Sequence, residues 1–251
     1  EKFARSIITY EDKRFRYHLG IDPFAIGRAI VLNLRERDIR SGASTITMQT
    51  IRLSRDNRPR TIGEKIIEMF LAVRLELRYS KTKILAMYAS NAPFGGNVVG
   101  LEAASWRYFG RPAEELSWAE SAMLAVLPNS PALIHPGKNR DILLEKRNRL
   151  LDKMAEKGII DATECMLSKE EPLPDKPYPM PDIAYHYLET LRKEGGDRRY
   201  ASYIDKGLQE RTEEILRRHI ELFESNQVYN IAALVMDVAT GHIVTYCGNL
   251  N

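Results

Sequence analysis

The stretch EDKRFRYHLG, residues 11–20, brings charge, aromatic surface and an imidazole into ten positions. If it is helical, Glu11, Phe15 and His18 share one face, because they are spaced i, i+4 and i+7. Phe15 would then pack in the protein interior and anchor that face, while Glu11 and His18 approach a cleft. Desolvation beside buried aromatic surface raises the pKa of a carboxylate, which suits a general base near neutral pH. The alternative is a charged surface helix with ion pairs, the commoner use of such residues.

Two more stretches supply polar groups that could work with Glu11. GASTITMQ, residues 42–49, alternates hydroxyls with an amide and leads to Arg52, a donor-rich strip that suits phosphate or sugar oxygens. A polar turn at a helix start is its alternative. Lys65 and Glu68 lie three apart on a predicted helix, and alone they would form a surface salt bridge of little energy. With Glu11 they become a two-carboxylate site with adjacent cations, a pattern that suits glycosyl transfer.

Capping residues and apolar spacing predict a mainly α fold. A side-chain oxygen at a helix start accepts a bond from the first turn, so short capping patterns mark where helices begin. A proline cluster excludes helix and predicts an extended connector. In chain order, the signals are helix starts at Asp22-Pro23, Thr61-x-x-Glu64 and Ser117-x-x-Glu120, an amphipathic helix over 141–157 that ends at Gly158, five prolines between 172 and 181, a helix over 203–224, and a β-hairpin over 231–238 and 242–246.

Composition is that of a globular protein, and the charge is unevenly spread. The 251 residues are 44% hydrophobic and 28% charged, which excludes collagen, low-complexity disorder and a disulfide-scaffolded miniprotein. Residues 1–60 hold 13 Lys and Arg against 7 Asp and Glu, a balance of +6 that suggests an anionic partner: nucleic acid, a lipid headgroup or a phosphorylated substrate. No apolar run approaches the ~18 residues that span a membrane. No histidine or cysteine spacing indicates a protein-held metal, and the sequence requires no cofactor.

With these motifs the chain resembles the peptidoglycan glycosyltransferases, the lysozyme-like domain of class A penicillin-binding proteins. The resemblance covers about residues 1–160 and follows the family's motifs in order. A second group of motifs resembles the 1C type of these proteins. The first group is Glu11-Asp-x-x-Phe15-x-x-His18-x-Gly20, Gly42-Ala-Ser-Thr-Ile-Thr-Met-Gln49, Lys65-x-x-Glu68 and, more weakly, Lys81-x-x-Ile84-Leu85-x-x-Tyr88; the second is Ala92-Pro-Phe-Gly-Gly-Asn97, residues 102–110 and Leu124-Ala-Val-Leu-Pro128.

The resemblance implies a domain organisation and a location. Residues 1–165 would form a two-lobed, lysozyme-like helical glycosyltransferase domain. Residues 166–227 would be a Pro-rich linker and helical connector, and residues 228–251 the N-terminal fragment of a penicillin-binding transpeptidase domain whose active site is not in this chain. The family's transmembrane anchor, also absent from this chain, would hold the protein at the periplasmic face of the bacterial inner membrane.

The resemblance also implies the chemistry and the role of each matching residue. The family polymerises lipid II onto a growing glycan chain by inverting transfer, with undecaprenyl pyrophosphate as the leaving group. Its other expected partners are the membrane and cell-wall synthesis proteins, and not nucleic acid. A divalent cation, Mg²⁺ or Mn²⁺, would accompany the pyrophosphate. The implied roles are Glu11 as catalytic base, Glu68 as the second essential carboxylate, Lys65, Arg52 and Arg14 as leaving-group cations, Asp12, Phe15 and His18 as shapers of the first motif, and Ser44, Thr45, Thr47 and Gln49 as the polar donor-site strip.

Three positions depart from the family pattern. Glu64 stands where the third motif usually carries a basic residue, and Ala86 and Ser90 replace a Glu and an Asn of the fourth. We expect altered packing or rate from them rather than lost activity.

Three other functions are compatible with the sequence. A lytic muramidase on the same fold would cleave finished glycan and have little need of Lys65 and Arg52. A non-catalytic basic helical module would bind nucleic acid or another anion in a salt-dependent way, indifferent to Glu11. A degenerate scaffold for protein assembly would not need the Glu11 and Glu68 pair.

Overall fold

The structure is a computed structural model, and it divides into two compact units, Glu1–Met180 and Pro181–Asn251. It describes residues 1–28, 44–55, 57, 59, 61–129, 136–180, 182–195, 200–224 and 226–249. The described elements confirm the mainly α class. They are helices α1 (Lys2–Glu11), α2 (23–28), α3 (Ile46–Ser54), α4 (Ile62–Arg78), α5 (Lys81–Asn91), α6 (Leu101–Phe109), α7 (Trp118–Val126), α8 (Arg140–Glu156), α9 (Ala162–Glu170), α10 (Tyr185–Gly195) and α11 (Lys206–Glu224), and strands β1 (Ala233–Met236) and β2 (Ile243–Cys247).

Helix α7 lies at the centre of the first unit. Eight of its nine residues are buried, and α1, α8 and α9 pack against it. Its predicted capping box is present: Ser117 Oγ accepts from the Glu120 N–H, and the Glu120 carboxylate accepts from the Ser117 N–H. A helix that is apolar on nearly all sides has to be buried, so α7 organises the core that supports α1.

A smaller apolar cluster joins α3 to α4 through Met48, Ile51 and Ala72. It positions the two helices that carry the polar strip and the second carboxylate. At the start of α4, Thr61 accepts from the Glu64 N–H as predicted. The reciprocal half of that predicted box is not formed, because the Thr61 N–H donates to Pro59 O and the Glu64 carboxylate pairs with Arg55.

Three further local predictions of the first unit are confirmed. Asp22 accepts from two N–H groups of α2, so that helix begins where the capping pattern places it. Helix α8 is followed by Gly158 at φ +65°, a left-handed conformation that glycine tolerates. Residues 172–180 are extended, and Arg107 holds them through two hydrogen bonds of 2.8 Å: its carbonyl accepts from the Tyr178 N–H, and its guanidinium Nη1 donates to the Tyr178 carbonyl.

The second unit contains the predicted hairpin. Strands β1 and β2 are antiparallel, in the register Ala233↔Cys247 to Met236↔Ile243. The side chain of Gln209 on α11 bonds both the N–H and the carbonyl of Tyr246, which ties the helix to the hairpin edge. That the hairpin begins a transpeptidase domain, that the chain divides at 165 and 227, and that the first domain has two lobes stay predictions. Among the described residues, no helix is both long and apolar enough to cross a membrane.

Candidate active site

The first motif is a turn, and the helical conformation considered for residues 11–18 is wrong. Helix α1 ends at Glu11, and the chain then turns through residues 12–20. The cause is a long-range contact: Asp12 accepts from the Ile46 N–H at 3.0 Å and pairs with His18 Nε2 at 2.9 Å. His18 Nδ1 in turn accepts from the Gly20 N–H. The buried Asp12–His18 pair therefore joins the end of α1 to the start of α3.

Gly20 closes this turn against α4. Its φ is +84°, and a Cβ at this position would lie 2.7 Å from the backbone carbonyl of Ala72. Phe15 is 1% exposed and belongs to the core, so the ring is buried as expected, although from a turn and not from a helical face. The turn is thus anchored at both its glycine and its aromatic ring.

Glu11 is half-buried and is held by two side-chain amides. Its Oε2 accepts from Gln49 Nε2 at 2.8 Å, and its Oε1 accepts from Asn129 Nδ2 at 3.2 Å. The Tyr88 hydroxyl donates to Gln49 Oε1 at 3.4 Å. Burial is the larger cause, and the charge of Glu11 the smaller, of a rise in the pKa of Tyr10 to about 12. Both hydrogen bonds to the carboxylate thus come from neutral donors.

Glu68 lies on α4 among cations. Arg52 holds it in a bidentate pair, with Nε and Nη2 at 2.6 and 2.8 Å from the two carboxylate oxygens. The Lys65 Nζ is 3.7 Å from Glu68 and 2.5 Å from Ser44 Oγ. The hydrogen bond to Glu68 is the main reason that the pKa of Arg52 is raised, so Arg52 keeps its charge.

Two cavities contain these groups, and Ser44 borders both. One, of about 270 Å³, is lined by Glu11, Asp12 and Arg14; the other, of about 460 Å³, is lined by Arg52, Lys65 and Glu68. The second has an apolar wall of Ile62, Ile66 and Met69. The Ser44 hydroxyl therefore lies between the cavity of the Glu11 carboxylate on one side and a cationic, partly apolar pocket on the other.

Some predicted site residues have framework contacts in the structure. Thr45 and Thr47 are buried; their hydroxyls donate to Gly20 O and to Glu76, both at 2.6 Å. Arg14 forms a bidentate pair with Asp22 and lines the Glu11 cavity. The roles assigned to the twelve residues stay predictions, but the predicted pyrophosphate contact of Arg14 has no support from its position beside Glu11.

Sequence reasoning missed Glu76 and Asn129. Glu76 accepts from both Thr47 and Lys81, and Lys81 Nζ also donates to His18 O and lies 4.6 Å from the centre of the Phe15 ring. These contacts join α3, α4 and α5 to the first motif. Asn129 carries no local signal, because it contacts Glu11 from 118 residues away. The departures at positions 86 and 90 are exposed on α5.

The divalent cation expected with the pyrophosphate stays a prediction. No group of three or more His, Cys, Asp or Glu side chains among the described residues could hold a metal. The two carboxylates that line the larger cavity, Glu64 and Glu68, are each paired with an arginine.

A carboxylate held by neutral amides beside a cationic pocket suits general-base catalysis with stabilisation of negative charge that develops nearby. A transglycosylase family model matches residues 1–155, more than half of the chain. The chain therefore belongs to the transglycosylase family.

Relatives agree with the resemblance to class A penicillin-binding proteins of the 1C type. The chain is 37% identical to Penicillin-binding protein 1C of Escherichia coli K12 over 214 residues, which cover 85% of this chain and 28% of that protein. It is 34% identical to Penicillin-binding protein 1A of the same strain, covering 82% and 24%. It is 35% identical to Penicillin-binding protein 1A of Aquifex aeolicus, covering 76% and 26%. The chain thus spans about a quarter of the length of these relatives.

Proposed function

We propose that this chain is a peptidoglycan glycosyltransferase that polymerises lipid II into glycan strands for the cell wall. The observation that carries the proposal is the pair of cavities on either side of Ser44, one with Glu11 and one with Arg52, Lys65 and Glu68. Glycosyl transfer to a hydroxyl with loss of pyrophosphate needs a base at the acceptor and positive charge at the leaving group. The two cavities supply these separately and side by side.

Glu11 acts on the acceptor. Its carboxylate takes the proton of the acceptor sugar's 4-hydroxyl while that oxygen bonds to the anomeric carbon of the growing glycan chain. The bond from that carbon to undecaprenyl pyrophosphate breaks with its electron pair, and the configuration inverts. Each oxygen of Glu11 accepts one amide hydrogen bond and keeps another lone pair for the hydroxyl.

The Glu68 cavity receives the pyrophosphate. Arg52 and Lys65 converge there, and both are within hydrogen-bond distance of Ser44. Glu68 fixes the plane of the Arg52 guanidinium, so the cations are oriented before charge develops on the leaving group. Glu68 therefore contributes through the cations that it holds.

An apolar stripe supports contact with lipid. Ile62, Ile66 and Phe70 are 84%, 62% and 69% exposed and lie four residues apart along α4. The stripe begins at the wall of the Glu68 cavity, where a lipid-linked pyrophosphate would bring its chain. We place the protein at the periplasmic face of the bacterial inner membrane, with other cell-wall synthesis proteins as partners.

The alternatives receive less support. A muramidase cleaves finished glycan and has no pyrophosphate to bind, whereas Arg52 and Lys65 converge on a cavity here. A nucleic-acid module needs open basic surface, whereas Arg14, Arg52 and Arg55 each pair with a carboxylate.

The test is glycan-chain formation from lipid II in detergent. The chain forms polymer, and Glu11→Gln lowers the rate about 100-fold or more, because the general base is lost. Glu115→Gln, a matched change at an exposed carboxylate in the same unit, keeps the wild-type rate. Polymer from Glu11→Gln at the wild-type rate contradicts the proposal, and release of sugar fragments from finished glycan in place of polymer identifies a hydrolase.

A further inference from the structure

We propose that Asn129 is a positioning residue for Glu11: its amide holds the base in the orientation that receives the acceptor proton. The inference rests on the proposed glycosyl transfer and adds a residue from outside the four motifs. It stands on the hydrogen bond of 3.2 Å from Asn129 Nδ2 to Glu11 Oε1.

The backbone before Asn129 is anchored in the core. Asn129 ends the 3₁₀ turn Leu127–Asn129, which directly follows the buried helix α7. Leu127 is 0% exposed, and α7 packs against α1, the helix that ends at Glu11. The core therefore anchors the backbone that leads to each partner, and the exposed amide of Asn129 reaches Glu11 across 118 residues of chain.

Gln49 holds the other carboxylate oxygen from α3, and Tyr88 determines which way its amide faces. The Tyr88 hydroxyl donates to Gln49 Oε1, so the Gln49 NH₂ group is the one that faces Glu11. Tyr88 is 1% exposed; burial, and then the charge of Glu11, raise its pKa well above the ordinary value, so it remains a donor. Glu11 is thus hydrogen-bonded from two separate elements, α3 and the 3₁₀ turn that follows α7.

Two amides suit a base better than two cations would. An amide N–H stabilises the carboxylate, yet it carries no charge that would weaken the basicity of Glu11 as a nearby cation does. Donors on both oxygens also prevent rotation of the carboxylate, so no reorganisation is needed when the acceptor hydroxyl arrives. The titratable groups that face Glu11 from its cavity and neighbouring helices are Tyr10, Asp12, Lys13, Arg14, Asp22, Arg28 and Tyr88.

Two substitutions test the inference in the lipid II assay. Asn129→Ala lowers kcat about tenfold and leaves KM nearly unchanged, because the lost hydrogen bond is to the base and not to substrate. Asn129→Asp places a second carboxylate against Glu11 and shifts the acid limb of the kcat/KM profile upward by about one pH unit or more. Its activity recovers as the pH rises, whereas a misfolded variant would lose activity at every pH. Asn97→Asp, the same charge change at an exposed turn that lines another cavity, keeps the wild-type profile.

The outcomes separate this inference from the proposed function. An Asn129→Asp profile that overlays the wild type, or full kcat in Asn129→Ala, overturns the role of Asn129. If Glu11→Gln is inactive in the same experiment, the glycosyltransferase proposal still stands. Polymer formation by Glu11→Gln at the wild-type rate overturns both the role of Asn129 and the proposed function.

Discussion

At residue 64 the chain carries a negative charge at the edge of the cavity that we assign to pyrophosphate. The Glu64 carboxylate is 2.5 and 3.2 Å from Nε and Nη2 of Arg55. The hydrogen bond from Arg55 to Glu64 is the main reason that the pKa of Arg55 is raised. Glu64 therefore offsets a cation that would otherwise add to the positive charge near Arg52 and Lys65.

Glu64→Gln should tighten the binding of lipid II. The substitution leaves Arg55 uncompensated, so we expect KM to fall about threefold, the size of one exposed charge interaction. The effect should shrink as salt is added, because ions screen exposed charges. KM measured at low and high salt checks this, with Glu114→Gln as the exposed control. An unchanged or higher KM at low salt would show that Arg55 does not act on the pocket.

Among single residues, Glu11 and Glu68 could be found from the sequence because short motifs surround them. The second motif predicts a substrate contact for Thr47, yet the Thr47 hydroxyl donates to Glu76. Hydroxyl spacing indicates a strip of donors, but it does not say which donors face a cavity. That depends on how α3 packs on α4.

At the scale of elements, one buried arginine joins α8 to the end of α9. Arg147 is 1% exposed, and its guanidinium donates to the carbonyls of Lys169 and Glu171 at 2.8 and 2.5 Å. Burial lowers the pKa of Arg147, and the charge of Glu171 opposes that effect. The carbonyls at a helix end need such donors when they are removed from water.

Arg147→Met should destabilise the first unit by about 3 kcal/mol, because it leaves buried carbonyls without their charged donor. Arg149→Met is the matched control two residues away: Arg149 is exposed and pairs with Glu145, so we expect a loss under about 0.5 kcal/mol. Urea unfolding followed by circular dichroism measures both. Equal losses would mean that Arg147 contributes only as an exposed ion pair does.

At the scale of the molecule, the first unit contains every residue assigned to the site. Its core runs from Phe3 to Leu173, and the Pro-rich residues 172–180 complete it. The unit therefore has its own apolar interior.

A chain that ends at Met180 should fold alone and form glycan polymer at the rate of the longer chain. We expect its melting temperature to stay within about 5 °C of that of the first transition of the 251-residue protein, because the unit's core is complete. Calorimetry and the lipid II assay check this. A loss of cooperative unfolding would show that the first unit depends on the second.

Capping boxes, a C-terminal glycine, a proline cluster and alternating β residues each act within a few positions, so the helical class, the helix starts after Asp22, Thr61 and Ser117, and the hairpin follow from local sequence. The helix predicted from residue 203 begins at Lys206. The sequence also identified the two carboxylates through their motifs. The turn over residues 12–20 and the contact of Asn129 with Glu11 depend instead on long-range packing, since Asp12 accepts from the Ile46 N–H and Asn129 is 118 residues from Glu11. Those contacts form when helices far apart in the chain pack together. No local pattern encodes that packing, because its free energy comes from the whole buried core.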